Sequence, residues 1–549
     1  MKKAIRIVLF AVALLVILVK VAEWRIESNF EARINRNPDR DYDIRYRSLD
    51  LHTFFKGATL NDVSIVPIKK DSGTVVNGTV NYARLDGLKW YDLVFGRRLN
   101  IRGILFDQPV FEVTMGNDTV KHASGKGLQE LFEDVLSRAK LSEFHIQGGS
   151  VLLLEPNNKG KKGSLTNLQL SANEIETDSV MWNHLVPFKL GNFEISIDSV
   201  SYDLDEFTHL ETGKLAYDKS INELVMQDIR LFLNRDWRLV SNQLGKQVDI
   251  LEVSLEEMRF NKLKASSSIY SELDIVTSMI LIRGLILKDH RDKNMPRPPD
   301  KEKPMFKGMV DAIPVGVQVD TIRIEDSSIS YIELGLDKTE PGVLTFSNIQ
   351  GEITNVTTLP AQQKKYEYFR ADVNAQLGGI APVKLDLWVP YTHEGFTAKA
   401  EIGQMDLSQL NEITEAMAGI HVQSGVSHRI EFEMQAQKSV SQNKLIFDYE
   451  DLKVDVLKEK KDHSFKEKPI LSALANSAVR NQNMPNDGKY FIAEYSSDRN
   501  IYRGPFNFMW TSFSEGFMYI VPGRSVQSLL GTHDAKNQNK KRKKKKKKD

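Results

Sequence analysis

The sequence predicts a mainly β protein: an elongated, curved antiparallel sheet with a few short helices and one N-terminal transmembrane helix. Three observations carry this expectation. A single long apolar run lies at the N-terminus, the body reads as many short alternating segments, and two long segments resemble each other.

At the start, Lys2, Lys3 and Arg6 precede an apolar run from Ile7 to Val19. Positive charge stays on the cytoplasmic side, so the expected orientation is N-in. Ala4 to Trp24 is 21 residues, against the roughly 20 needed to cross a bilayer core. Lys20 and Glu23 make the last turn interfacial, and Trp24 suits the far headgroup layer. Residues 1–24 are therefore expected to be an anchor, with the chain single-pass in the inner membrane and its bulk in the periplasm. A cleavable signal peptide is the competing reading, although Val19-Lys20-Val21-Ala22 is a poor cleavage site. No other stretch approaches the length of a membrane span.

Composition narrows the function. The chain has no cysteine, which excludes disulfide scaffolds, thiolate metal sites and cysteine nucleophiles. Its net charge of +1 conceals an asymmetry, because Lys540 to Lys548 are all basic and only Asp549 opposes them. The rest of the chain is thus net acidic, which argues against nucleic acid as a partner. Residues 531–549 read as a solvated polylysine tail, with attraction to anionic lipid or polymer as the functional alternative.

The body alternates apolar and polar residues between Gly, Asn, Asp and Ser breaks, which indicates more than about twenty strands. In Val383 to Val389, the residues Val383, Leu385, Leu387 and Val389 share one face, and Pro390 closes the run. Similar alternation marks Asp249 to Phe260, Leu273 to Lys288, Tyr368 to Gln376, His428 to Gln437 and Lys444 to Leu457. Helical spacing marks Gly127 to Lys140, Lys307 to Ile313 and Leu407 to Ala418, the last with Asp406 and Ser408 as N-cap candidates.

Two segments repeat one pattern. Phe144 to Val151 leads to Leu165-Thr166-Asn167-Leu168-Gln169-Leu170 and Glu174-Ile175. Ile322 to Ile329 leads to Phe346-Ser347-Asn348-Ile349-Gln350-Gly351 and Glu352-Ile353. Two β modules, 25–288 and 305–503, are expected, joined by an exposed loop at 289–304 that holds Pro296, Pro298, Pro299 and Pro304. Stacked sheet modules extend along one axis, hence the elongated, curved form.

The last element, 504–530, is an amphipathic helix opened by Pro505. Phe506, Met509, Trp510, Phe513, Phe517 and Ile520 share a face. Docking on the sheet and insertion into a membrane surface both suit these aromatics. Phe506, Trp510, Phe513 and Phe517 are the candidates for the membrane-surface role.

Catalytic signatures are missing. There is no His-Glu-x-x-His, no Gly-x-Ser-x-Gly and no G-x-G-x-x-G. Ser124-Gly125-Lys126-Gly127 fails as a phosphate cradle, since Val120 stands where a Gly is needed and Gly127 where a Ser or Thr is needed. The eleven histidines are scattered. No enzyme activity, cofactor or metal is expected.

Asp43 to Leu51, Phe55 to Ile65, Ala83 to Leu88, Leu99 to Phe111, Gly403 to Asn411 and Gly419 to Gly425, taken in order, resemble segments of the AsmA-like envelope proteins, the family of the TamB and YhdP relatives within the bridge-like lipid-transfer superfamily. The most specific match is Gly403-Gln404-Met405-Asp406-Leu407 through Asn411, then Gly419 to Gly425. Leu474 to Arg480 and Phe506 to Gly516 are similar to the large members of Bacteroidota-type envelopes.

The resemblance implies a taco-like sheet, apolar inside, that shields acyl chains in a groove. Under it, the chain is a periplasmic protein handling or transferring phospholipid between envelope membranes. Val151, Leu153, Ile324, Ile329, Leu385 and Leu387 are the candidate lining. Three other readings stand beside it: the same faces burying each other as a core, a noncatalytic assembly or scaffold factor for outer-membrane proteins, and a polysaccharide enzyme with clustered carboxylates. Its partners would be the inner membrane, phospholipid and outer-membrane or envelope assembly proteins.

Overall fold

A computed structural model describes residues 2–35, 42–52, 57–68, 75–88, 101–114, 142–156, 160–177, 188–266, 274–336, 338–418, 420–459, 465–467 and 479–522. The chain forms two compact units, Met1–Asp228 and Ile229–Asp549.

The first unit opens with helix α1 (Lys2–Ile34), then β1 (Tyr42–Arg45), β2 (Ser48–Leu51) and β3 (Gly57–Pro67), with β1 and β2 both antiparallel to β3. The helix runs ten residues past Trp24. Ile26 and Phe30, one turn apart, are 3% and 1% exposed in a core with Leu60, Ala83 and Ile146, and this packing carries the helix on to Ile34. Phe30 meets Tyr46 edge to face at 6.3 Å. Asn35 then exchanges hydrogen bonds of 2.8 and 2.9 Å with the Ile44 backbone. Among the described residues, no helix is long and apolar enough to cross a membrane. Within the N-terminal apolar run, the described side chains Leu14 and Val16 to Val19 are exposed.

β4 (Val75–Asp86) pairs antiparallel with two half-strands, β5 (Gly103–Asp107) and β6 (Val110–Thr114). Both half-strands run parallel to β7 (Glu143–Leu154), which pairs antiparallel with β8 (Lys161–Thr177) through register shifts. β8 then pairs with β9 (Phe188–Ile197) and β10 (Ser199–Asp203). β11 (Thr208–Thr212), β12 (Leu215–Asp218) and β13 (Glu223–Leu233) follow, and β13 contains the division between the units.

The second unit uses the same plan. After α2 (Trp237–Leu244), β14 (Ile250–Asn261) pairs antiparallel with β16 (Asp274–Arg283) and β17 (Ile286–Asp292), while β15 (Lys264–Ser266) turns back onto β16. β16 and β17 run parallel to β18 (Gly316–Leu334), and β18 pairs antiparallel with β19 (Gly342–Thr357). Left-handed residues fall at matching points: Asp62 and Asp228, Gly87 and Lys262, Gln108 and Gly284, Gly148 and Asp326, Asn167 and Asn348, Glu174 and Asn355. Gly, Asn and Asp tolerate that conformation best and supply most of these positions. The repeated segments read from the sequence thus occupy equivalent strands.

The sheet is mixed, which corrects the expectation of an antiparallel one. Residues 115–142 and 293–315 separate the parallel partners, and a parallel pair needs a crossover of that length.

From β19 the strands are antiparallel. β20 (Tyr368–Leu377), β21 (Ala381–Pro390), β22 (Phe396–Ile402), β23 (Met405–Asp406), β24 (Ile420–Ala436), β25 (Val440–Glu459) and β27 (Ala493–Asp498) follow, with β26 (Phe465–Glu467) on β25. The helices are α3 (Phe306–Asp311), α4 (Pro360–Tyr366), α5 (Asn411–Ala418) after a 3-10 turn at Leu407–Leu410, and α6 (Pro505–Ile520). The Asp406 cap forms as expected, Ser408 N donating to Asp406 Oδ1 at 2.9 Å. The helix expected over Gly127 to Lys140, the loop at Ser124 and the 531–549 tail lie outside the described residues.

α6 stops at Ile520, with Pro522 two residues on, and positions 523–530 lie outside the described residues. It docks through Phe508, Ser512, Gly516 and Ile520. A Cβ on Gly516 would lie 2.6 Å from both Leu445 and Tyr495, so only glycine permits this approach. The Tyr495 hydroxyl donates to Ser512 O at 2.5 Å. The 293–304 stretch is strapped down: Gln247 Nε2 donates to Lys293 O and Met295 O, and Arg499 Nη2 donates to Lys303 O.

Candidate functional site

Strand alternation and register give the second unit's sheet two unlike faces. One cross-strand row runs Met258, Ile282, Ile324, Gly351, Val373, Leu385, Ala400, Phe432, Leu445, Ala493. The row beside it runs Phe260, Ile280, Ile322, Ile353, Ala371, Leu387, Ala398, Met434. A third row holds Val253, Leu287, Ile329, Phe346, Leu377 and Ala381. Apolar side chains therefore line one face from β14 to β27 with almost no interruption.

The opposite face is charged. Its row reads Arg323, Glu352, Asp372, Asp386, Lys399, Glu433, Lys444, Glu494. Arg323 pairs with Glu352 at 2.9 Å and Arg370 with Asp386 at 2.8 Å. Burial pushes the Asp386 carboxyl up, but the Arg370 hydrogen bond and neighbouring Lys384 outweigh it and hold the group below the usual range. The exposed Arg323–Glu352 pair contributes little stability. The effect of both pairs is to fix which face meets water.

Cover over the apolar face is uneven. Leu387, Met434, Leu445 and Ala493 are almost fully buried. Phe513 and Phe517 of α6 press their rings on Phe432 and Phe447 at 5.4 and 5.0 Å, and Phe306 of α3 meets Phe396 at 5.1 Å. Toward β14, Met258, Phe260, Ile280, Ile282, Ile322 and Ile324 are only half-buried. None of them belongs to a hydrophobic core among the described residues. Ile329 is 38% exposed.

The candidate lining residues separate accordingly. Ile324 and Leu385 share a row, Leu387 lies in the next and Ile329 in the third, all on one face. Leu387 is core and Leu385 half-buried. Val151 and Leu153 pack in the first unit with Ile65, Val76, Phe111 and Val113. Val151 holds there the place that Ile329 holds in the second, each flanked by a half-strand and a long antiparallel strand. Of the helix candidates, Phe513 and Phe517 contact the core, while Phe506 and Trp510 are 66% and 43% exposed. Met258, Phe260, Ile280, Ile282 and Ile322 were not legible as lining. The run Met279-Ile280-Leu281-Ile282 is apolar at every position, so alternation could not assign a face.

The apolar face ends in charge at one rim. Continuing the third row along β17 and β18, Leu287 and Ile329 give way to Asp289 and Tyr331, then to Arg291 and Glu333. Arg291 pairs with Asp249 at 2.5 Å, Lys293 with Glu333 at 2.6 Å, and the Tyr331 hydroxyl donates to Glu333 at 2.6 Å. Burial, reinforced by the Asp249 charge and opposed by Arg291, lifts the Asp289 carboxyl to about 6. Burial and the Glu333 bond likewise push the Tyr331 hydroxyl up. Among the described residues, no three His, Asp or Glu side chains are placed to hold a metal ion.

No protein family profile matches the chain, and no curated protein matches it. Among solved structures, the crystal structure of the sex pheromone staph-cAM373 precursor aligns with 58% of this chain and 85% of its own, at 8% identity and a TM-score of 0.12. A score that low carries no argument about fold or function.

Proposed function

We propose that this chain is an AsmA-like, noncatalytic protein that handles or transfers phospholipid along an apolar sheet face in the periplasm. The observation that supports this reading is the half-uncovered stretch of that face between β14 and β19. Half-exposed Ile280, Ile282, Ile322 and Ile324 stand side by side there, where a packed protein normally completes its core. Acyl chains would remove that surface from water without meeting an unpaired charge. The exposed Phe506 and Trp510 suit contact with a headgroup layer.

The test is native mass spectrometry of the full chain purified in mild detergent, beside an Ile282→Asp, Ile324→Asp variant whose circular dichroism matches wild type. Stoichiometric phospholipid in the wild type and its loss in the variant support the reading. A lipid-free wild type overturns it, and protein crosslinks in its place would favour the assembly role.

A further inference from the structure

α6 turns an uncharged side to solvent. Its exposed side chains are Phe506, Trp510, Thr511 and Met518. Its one charged residue, Glu515, is turned to the sheet, where it accepts from Ser497 Oγ at 2.6 Å. A helix lying on a sheet in water ordinarily carries charges on its outer side. The apolar surface continues onto α3. Phe306 is held between Phe396 and Phe506, with ring centroids 5.1 and 5.0 Å away, and Met309, one turn further along α3, is 46% exposed. Trp510, one turn from Phe506, extends the surface along α6. Phe506, Trp510 and Met309 thus belong to one exposed apolar patch across two helices, joined by the contact of Phe306 with Phe506.

An exposed patch of this kind marks an interaction surface, and the charge of the following sequence selects its partner. Lys540 to Lys548 are nine consecutive basic residues, beginning 18 residues beyond Pro522. Extended chain of that length spans up to about 60 Å, so the basic run can reach the surface on which α6 rests. Attachment to a bilayer gains from buried apolar area and from attraction to anionic lipid together, and this end of the chain holds both. We infer that the patch on α3 and α6 docks on an anionic phospholipid bilayer. Phe506, Trp510 and Met309 enter the boundary between headgroups and acyl chains, and Lys540 to Lys548 meet the lipid charge. A second copy of the chain fits less well, because two such basic runs would be brought together. The inference deepens the headgroup contact proposed above and is independent of acyl chains on the sheet face.

The chain has no cysteine, so Thr511→Cys takes a single environment-sensitive dye on the patch. Asn374→Cys, exposed on the charged sheet face opposite Lys384, takes the same dye as the control. The full chain, kept soluble in amphipol, is titrated with vesicles of phosphatidylcholine, alone or with phosphatidylglycerol added. The dye at 511 is expected to shift to the blue and to partition at least about tenfold more strongly into the phosphatidylglycerol vesicles, while the dye at 374 stays unchanged. Phe506→Ser with Trp510→Ser should weaken partitioning at least about tenfold, and a chain ending at Asn539 should fall to the phosphatidylcholine level. Both aromatics are exposed, so circular dichroism, melting temperature and the lipid count by native mass spectrometry should match wild type in the double variant. No blue shift with either vesicle would overturn the docking surface and leave the sheet-face reading standing. A shift that needs no vesicles and grows with protein concentration would put a second copy on the patch, and an equal response to both vesicles would remove the anionic partner; each overturns the inference. A lipid-free wild type in native mass spectrometry, with the blue shift intact, would overturn the sheet-face reading alone.

Discussion

Leu387 and Ile324 lie on the same sheet face, and the structure assigns them opposite roles that truncation can separate. Leu387 is 7% exposed and packed in the core with Phe369, Ala398 and Met434. Leu387→Ala removes buried methyl groups and leaves a cavity that the strands on either side cannot close. The loss is expected at about 3 kcal/mol, within the range for buried leucines. Ile324 is half-buried, touches no core cluster, and sits between Ile282 and Gly351. Ile324→Thr keeps a β-branched side chain in the strand, so its cost should stay below about 1 kcal/mol. Urea unfolding of the full chain in mild detergent, followed by tryptophan fluorescence, measures both, and bound phospholipid is counted on the same samples. Leu387→Ala should lower the second unit's midpoint and retain lipid; Ile324→Thr should retain the midpoint and lose lipid. Equal destabilisation by the two would show Ile324 to be core, and the division of the face into covered and open parts would fail.

Three further outcomes follow from particular contacts. Asp289 titrates near 6 in the folded chain, above its ordinary 3.8, so the folded state holds the proton more tightly and the charged form destabilises it. That penalty is complete above about pH 6 and vanishes as pH falls below about 4, so Asp289→Asn should stabilise at pH 7.5 by about 1–2 kcal/mol, discounted for partial exposure, and by nothing at pH 4; thermal melts across that range check it. Gly516→Val should force α6 away from Leu445 and Tyr495, cost about 1–3 kcal/mol and raise hydrogen exchange in Phe508 to Ile520. Asn483 is fully buried, donates to Phe447 O and Phe491 O, and accepts from Phe491 N. Asn483→Ala should cost about 2–4 kcal/mol by leaving those backbone groups unpaired, read as a lower melting temperature.

Much of the architecture was legible because period-two alternation is a local property. Val383 to Val389 became β21, and the repeated segments Phe144 to Val151 and Ile322 to Ile329 became β7 and β18, because their apolar spacing and turn residues specify strands without long-range information. The Asp406 cap and the start of α6 at Pro505 were readable for the same reason. The extent of α1 was not, since Ile26 and Phe30 continue the helix only because a sheet lies beneath them.

The facing of Ile324 and Ile329 could not be read locally. They are five apart, which in a plain strand points them to opposite sides, and the left-handed Asp326 between them restores a common face through the register shift on β19. The parallel pairing of β16 and β17 with β18 was equally hidden, because it depends on a crossover whose course no alternation records. The sequence by itself determined that this protein is built of many two-faced strands in a repeated order. Only the tertiary structure decided which part of the apolar face is roofed by helices and which is open, and that Asp289 is buried at its rim beside Asp249 and Arg291. Burial and charge pairing depend on distances between segments far apart in the chain, and those distances exist only once the register of every intervening strand is set.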